Sequence, residues 1–461
     1  MKKNRLPFRI NLVLFLVTLF LNLMTQWDPK CWEGFGDSYD YLQQSRMSIF
    51  SRDFYFNTPG PGFYPRPFTV PLFYKIAGGN SLNIVQMQKF MHTLASFILA
   101  YGFLLILTRG ISKYFMMFSI YFLMSWWNIL GWTNQLLSES LSMTFLFLWI
   151  GTFLICYKKR GFGWLAFHMV ITLLFSFTRD SWPYFLICFY ALVVITGWIW
   201  ERSFLKLSVL LLLLVIAIFF VQERSAEIGQ RSKIPVVNNI VLRILPVTEN
   251  FNWFLTRGMP MASQLKQKFT GLDINKHPDV EKLYSLYSDT TFKPLLDWSA
   301  EKGQSTYTWF LFTHPSYTFF IDEPHDKLKR IFSYNLHYVS GVNGYCMGAE
   351  KVFPLFPSLL LVIISLLLIL IFIFDRKLMT ILPVIFVIVF IINIFLTYNA
   401  DSMEVPRHMF ITLIMVQFLS LWAVALLIDR SIQKISTFFK GKEDPAGQHD
   451  QQQIAQSQQS H

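Results

Sequence analysis

The chain has 461 residues, of which 53% are hydrophobic, 18% aromatic and only 15% charged, against roughly 25% charged in an average soluble domain. So little charge cannot keep a surface in water, and the same figures exclude disorder, collagen and a disulfide-rich secreted scaffold, leaving a polytopic membrane protein. Lys and Arg total 40 against 28 Asp and Glu, a net charge of +12, and in such a chain the excess bears first on membrane orientation.

A bilayer-spanning helix needs about 17 to 25 largely apolar residues, and about ten such runs occur. The first, Ile10 to Gln26, follows Lys2, Lys3, Arg5 and Arg9. No small-residue cleavage site follows it, so it reads as a retained anchor rather than a signal peptide. The polar stretch Trp27 to Ile84 separates it from Val85 to Thr108, Tyr114 to Leu130 and Leu136 to Tyr157. Next come Trp164 to Phe177, Pro183 to Trp200 and Leu205 to Val221. A second polar stretch, Gln222 to Val352, precedes Phe356 to Phe374, Leu378 to Thr397 and Met409 to Ile428. Tyr114 to Leu130 and Trp164 to Phe177 are short and aromatic for spans.

Basic residues fill alternate short connections: Arg109 with Lys113, Lys158 to Arg160, Arg202 with Lys206, Arg376 with Lys377, and Arg430 with Lys434. The opposite short loops hold little more than Arg179 and Arg407. With ten spans this asymmetry predicts cytoplasmic termini and an active face outside. The predicted fold class is all-α: about ten transmembrane helices, with outer-surface helices in two long extracytoplasmic loops. The expected organisation is an N-terminal membrane module, 1–221, carrying the outer loop 27–84. A large extracytoplasmic loop, 222–352, a C-terminal membrane module, 353–430, and a cytoplasmic disordered tail, 431–461, follow. Within the large loop, Asp279 to Ser288 and Phe292 to Gly303 predict short surface helices, and no alternating strand pattern stands out. From about Gly441 the tail is rich in Gln, Ser and His, a composition that predicts disorder. Cys31 and Cys346 would both face outward, where a disulfide between them is possible, whereas Cys156 and Cys188 fall within spans. No zinc, Walker or dinucleotide fingerprint is present.

The span centres carry almost no Asp, Glu, Lys or Arg. Polar residues gather instead at the outer mouths, in five groups. In Gly34 to Tyr41, Asp37 suits a general base taking a proton from an acceptor hydroxyl. It equally suits a helix N-cap, with Asp40 one turn further on. In Phe63 to Phe68, Arg66 stands between Pro65 and Pro67 in extended backbone, where it could ligate an anion or snorkel to lipid headgroups. In Asn134 to Ser140, Glu139 is either a functional group at a span mouth or a first-turn residue beside capping Ser138 or Ser140. In Thr178 to Pro183, Arg179 and Asp180 either pair with each other or leave Arg179 for an anionic ligand. In Asn399 to His408, Pro406 suits the first turn of the last span, and Arg407 with His408 can hold a phosphate, with Glu404 nearby.

These residues resemble the C-type glycosyltransferase superfamily, the polytopic enzymes that use polyprenyl- or dolichyl-phosphate sugars. The resemblance rests on an outer loop with an early acidic motif, Gly36-Asp37-Ser38, on Ser138-Glu139-Ser140, and on the late Glu404-Val405-Pro406-Arg407-His408. It covers Met1 to about Ile428 as an arrangement rather than as a matching string. It implies that Asp37 is the catalytic base and that Arg407 contacts the donor phosphate. Many members carry Arg-Tyr followed by Pro there, whereas this chain has Arg407-His408 and no Pro in Met409 to Thr412. Some members use an acidic pair and a divalent metal; Asp37 and Asp40 are not adjacent, so no metal or other cofactor is inferred, though a divalent metal is not excluded.

The function expected is inverting sugar transfer from a lipid-phosphate donor at the extracytoplasmic face. Asp37 and Glu139 are the catalytic candidates; Arg407, His408, Arg66 and Arg179 are the donor-phosphate ligands; Asp40 and Glu404 are secondary candidates. The partners are a polyprenyl-phosphate sugar, a glycan, lipid or protein acceptor, and membrane lipids, without nucleic acid. The expected location is a bacterial cell membrane. The competing readings are a transporter or flippase of lipid-linked sugars and a glycan polymerase or ligase with a lipid-diphosphate donor.

Overall fold

The computed structural model describes residues 5–24, 36–60, 63–272, 277–320, 364, 366–368, 378–400, 402 and 405–443. Nearly all of it is helical; among the described residues the only β-type pairing is an isolated bridge between Gly60 and Phe63. Apolar runs become helices here because hydrocarbon offers backbone N–H and C=O groups no partner but each other. The membrane helices are α1 (Arg5–Met24), α4 (Ser81–Ile106), α5 (Gly110–Met124), α6 (Ser138–Lys159), α7 (Phe162–Ser176), α8 (Trp182–Trp200), α9 (Arg202–Ile228), α10 (Leu378–Ala400) and α11 (Val405–Glu443); α2 (Gly36–Arg46) and α3 (Thr69–Ile76) lie between α1 and α4. Seven of the described helices are long and apolar enough to cross a membrane: α1, α4, α6, α8, α9 and the apolar parts of α10 and α11. The protein is therefore an all-α membrane protein with multiple spans.

The two short aromatic segments form shorter helices. α5 has 15 residues, which is about 22 Å against a hydrocarbon core of about 30 Å. It ends at Met124 rather than Leu130, and single helical turns occupy 127–134. The run Phe356 to Phe374 lies mostly outside the described residues, as do Cys31 and Cys346. The last helix reaches Glu443, so 431–443 is helical rather than disordered tail.

α6 is the central helix, buried on every side from Ser138 to Cys156. A helix without a polar face packs inside a bundle rather than at its edge. Gly151 lets α4 approach closely: a Cβ there would sit 2.8 Å from the Leu99 backbone. α8 and α10 run in step, with Phe185 against Phe390 and Phe189 against Phe386, both at 4.8 Å between ring centres.

Hydrogen bonds sort the connections between two ends. At one end Asp429 of α11 accepts from the Thr108 and Arg109 amides at 3.0 and 2.8 Å and from Ser112 Oγ at 2.6 Å, covering the start of α5. Glu201 accepts from Tyr157 at the same end, at 2.7 Å. At the other end Ser38 donates to the Leu136 carbonyl at 2.9 Å, tying α2 to the start of α6.

The segment between α1 and α4 does not merely lie on a surface. α3 is wedged into the bundle mouth: Thr69 Oγ1 donates to the Leu174 carbonyl at 2.8 Å, and Phe73 meets Phe145 of α6 at 5.2 Å. The segment after α9 builds a second core of its own, with Val237, Ile240, Phe254, Leu265 and Phe310 fully buried. The expected helices are present there at His277–Ser288 and Lys293–Trp298, the latter continued by a π-turn over Ser299–Gly303. This unit docks on the C-terminus of α10, whose last carbonyls need donors. Asn239 Nδ2 supplies them to Asn399 and Ala400 at 3.1 Å each, Tyr307 to Asn399 at 3.0 Å, and Arg243 to Tyr398.

Candidate functional site

A cavity of about 450 Å³ opens at the end of the bundle that carries α2. Its walls come from α2, the Tyr64 to Pro67 segment, the start of α6, the turn between α7 and α8, the segment after α9, and the end of α10. The unit after α9 closes one side with Ile234, Asn238, Tyr284 and Tyr287.

α2 brings Asp37 and Asp40 to one face, as i and i+3 positions of a helix must be. Asp37 stands in the first turn, not at the cap, and its carboxylate bonds Arg66 Nη2. Asp40 accepts from the Tyr64 amide at 3.0 Å and from Arg66 Nε and Nη2 at 3.2 and 2.9 Å. The two carboxylates differ in access: the Asp37 side chain is 22% exposed, that of Asp40 2%. Burial raises the Asp40 pKa above its usual value, with Arg66 opposing. For Arg66, burial works against the charge, but Asp37, Tyr41 and Asp40 outweigh it and push the pKa upward.

Arg66 is thus neither a lipid-facing snorkel nor a mobile side chain. Pro65 and Pro67 keep it out of a helix. The Gln44 amide clamps its backbone from both sides, accepting from Arg66 N at 3.0 Å and donating to Arg66 O at 2.9 Å. Lys75 holds the C-terminus of α2 by donating to the Ser45 and Met47 carbonyls at 3.2 and 2.8 Å, which suits the negative end of a helix.

Arg179 and Asp180 do not pair with each other. Arg179 reaches Glu139 through Nη2 and Ser138 Oγ through Nε at 3.2 Å. Glu139 is wholly buried in the first turn of α6 and stands behind Arg179, which lines the cavity. Ser138 serves as an acceptor for Arg179, and no side-chain cap is present at the start of α6. Asp180 pairs with Arg231, a residue that sequence reasoning passed over. Arg231 donates to the Asp180 carboxylate through Nε at 3.0 Å and Nη2 at 2.9 Å, and through Nη1 to Ser225 O and Oγ at 3.2 and 3.1 Å. Its signal was available: like Arg179, it is a basic residue close to the predicted outer end of a span. Gly229 lets this segment meet the first loop, since a Cβ there would lie 3.2 Å from Pro65 Cβ.

Pro406 stands in the first turn of α11, as its chemistry favours, and Arg407 and His408 follow in that helix. Their side chains, and all of Glu404, lie outside the described residues. Among the described residues no group of three or more His, Cys, Asp or Glu is placed to hold a metal ion. Asp37, Asp40, Arg66 and Arg179 therefore share one cavity, joined by Asp180 and Arg231, with Glu139 behind it.

Compared with protein-family models, with curated proteins and with solved structures, the chain matches none.

Proposed function

We propose that the protein transfers a sugar from a lipid-phosphate donor to an acceptor at the extracytoplasmic membrane face, in the manner of C-type glycosyltransferases. The observation that carries this reading is one cavity where carboxylates and guanidinium groups converge beside the ends of apolar helices. A sugar phosphate needs polar ligands, and its prenyl chain needs the apolar flank of the spans. Asp37, the more exposed carboxylate of α2, takes the proton of an acceptor hydroxyl. That oxygen attacks the anomeric carbon as the bond to the phosphate breaks on the opposite face, so the configuration inverts. Arg66 and Arg179 line the cavity and, with Arg407 and His408 as further candidates, supply positive charge that stabilises the departing phosphate. Glu139 positions Arg179, Asp40 positions Arg66, and Glu404 is the candidate partner of Arg407. The acceptor is a glycan, a lipid or a protein.

The accompanying topology has ten spans and cytoplasmic termini, in a bacterial cell membrane. Asn399 of α10 meets Thr318 at the cavity end, with Nδ2 donating to its carbonyl at 3.1 Å, while α10 begins at the opposite end. The tenth span of this proposal is the apolar sequence Phe356 to Phe374, assigned from its length and composition.

A second reading, transport of a lipid-linked sugar, draws on the buried Lys89, His92 and His168 within α4 and α7. Mass spectrometry of co-purified lipid, followed by turnover of that lipid, separates the readings. A polyprenyl-monophosphate sugar supports transfer, a diphosphate favours a polymerase or ligase, and movement without bond cleavage favours transport. Asp37→Asn keeps the size and hydrogen bonding of the residue. It is expected to lower transfer about 10² to 10⁴-fold with unchanged unfolding temperature. Near-normal turnover in Asp37→Asn overturns the base.

A further inference from the structure

Three guanidinium groups border the cavity, and they differ in what must move before an anion can reach them. Arg179 is held by a carboxylate that is itself wholly buried. Drawing Arg179 away would break a buried ion pair, which is strongly unfavourable. Arg66 is bonded by two carboxylates, Asp37 and Asp40. Its Nε and Nη2 are already taken by these carboxylates, so a phosphate would have to displace both to bond it directly.

Arg231 is different on both counts. It is bonded to a single carboxylate, and that carboxylate is the most exposed of the cavity's acids, with 43% of the Asp180 side chain open to solvent. The neighbouring Glu223 is engaged elsewhere, accepting from the Tyr184 hydroxyl at 2.7 Å. The Arg231 side chain is only 6% exposed. It stays in place without Asp180, because Nη1 donates to Ser225 O and Oγ and Nη2 to Gln222 O at 3.4 Å. Nε and Nη2 together grip Asp180 in the two-pronged geometry that a guanidinium offers equally to a phosphate.

We propose that Arg231 is the seat of the donor's phosphate, a diester until the sugar leaves and a prenyl phosphate monoester afterwards, and that Asp180 is the carboxylate which the phosphate displaces. The proposal rests on the lipid-phosphate reading above and adds to it a ligand and an exchange. Asp180 gives up Arg231 and the Gln222 amide, which donates to it at 2.5 Å, and swings toward the water it already meets; the guanidinium keeps an anionic partner throughout, and the charge of the seat changes only by the difference between carboxylate and phosphate. The turn at 178–181, which carries both Arg179 and Asp180, thereby senses an occupied site.

The test uses the full chain in detergent and the probe farnesyl phosphate, with farnesol and inorganic phosphate as comparisons. Binding is measured for wild type, Arg231→Lys and Asp180→Asn. Arg231→Lys is expected to weaken farnesyl phosphate by about tenfold or more, the value of a lost charge-assisted contact. Asp180→Asn removes the competing carboxylate and is expected to tighten farnesyl phosphate, while farnesol binding is the same in all three proteins. If Arg231→Lys does not fold, the sign of the Asp180→Asn change decides alone: tighter binding supports the exchange, and unchanged or weaker binding overturns it. Inorganic phosphate binding as tightly as farnesyl phosphate would overturn the assignment to a lipid donor. Binding that depends on Arg66 or Arg407 but not on Arg231 would overturn the seat and leave the transfer reading standing. Arg231-dependent binding in a wild-type protein that moves the co-purified lipid without bond cleavage would do the reverse.

Discussion

Arg179 and Asp180 are adjacent in the chain but belong to different regions of the cavity, one closed and one open. Arg179 turns inward to Glu139 at the start of the central helix, and Asp180 turns outward to Arg231 beyond α9. Each pair is one carboxylate with one guanidinium, so the chemistry is the same and only the surroundings differ. In the closed region neither group can be rehydrated without opening the bundle, and the pair acts as a fixed part of the wall. In the open region the carboxylate already meets water, and the pair can exchange partners. Burial, rather than the identity of the residues, separates scaffold from candidate ligand site.

That contrast can be broken most directly at Glu139. Glu139→Gln removes the wholly buried carboxylate that Arg179 bonds and is expected to destabilise the protein by about 3 to 5 kcal/mol. Denaturant unfolding of the detergent-solubilised protein measures it, and a stability equal to wild type would remove the distinction between the two regions.

A second, intermediate effect is expected from Asp40, the buried acid beside Arg66. Its pKa is raised by burial, so in the folded protein it binds a proton more readily than at its ordinary value near 3.8. Native Asp40 therefore holds more proton than the unfolded chain between 3.8 and its raised value. The Asp40 contribution to stability then rises as pH falls through the raised value and levels off below the ordinary one. Asp40→Asn should abolish that part of the pH profile. An unchanged profile would mean that Arg66 fully offsets the burial.

Replacing both members of the closed pair sharpens the comparison further. Glu139→Leu combined with Arg179→Met removes both buried charges and is expected to come back to within about 1 kcal/mol of wild type. A double variant as unstable as Glu139→Gln would point to losses beyond the unpaired charge. The smallest effect belongs to the open region, where Asp180→Asn should alter unfolding free energy by only about 0 to 1 kcal/mol. A loss there as large as at Glu139 would mean that Asp180 is scaffold as well.

Much of the frame was legible from residue order. The apolar runs marked α1, α4, α6, α8, α9, α10 and α11, because length and hydropathy are local properties and the bilayer leaves helices few alternatives. Pro406 marked the start of α11, and the loop helices near Asp279 and Phe292 also occur. The short aromatic runs misled about length, since Tyr114 to Leu130 holds a helix that stops at Met124. The tail boundary was misplaced for a similar reason: composition signals a tendency, and the helix of α11 continues past it to Glu443.

The candidate site divides along the same line. Sequence alone gathered Asp37, Asp40, Arg66, Glu139 and Arg179 by one rule, charge retained at outer span mouths, and Arg231 satisfied that rule without being singled out. It determined that the chain is a helical membrane protein and which residue types face its mouths. Only the tertiary structure decided who bonds whom: that Arg66 bridges two acids on α2, that Arg179 passes over its neighbour for Glu139, and that Asp180 joins Arg231. The reason is physical. Span formation is settled by the free energy of transferring a continuous segment to hydrocarbon. Ion pairing depends on distances between side chains carried by different helices, and those are set only when Gly151 lets α4 meet α6 and Gly229 brings the end of α9 against Pro65.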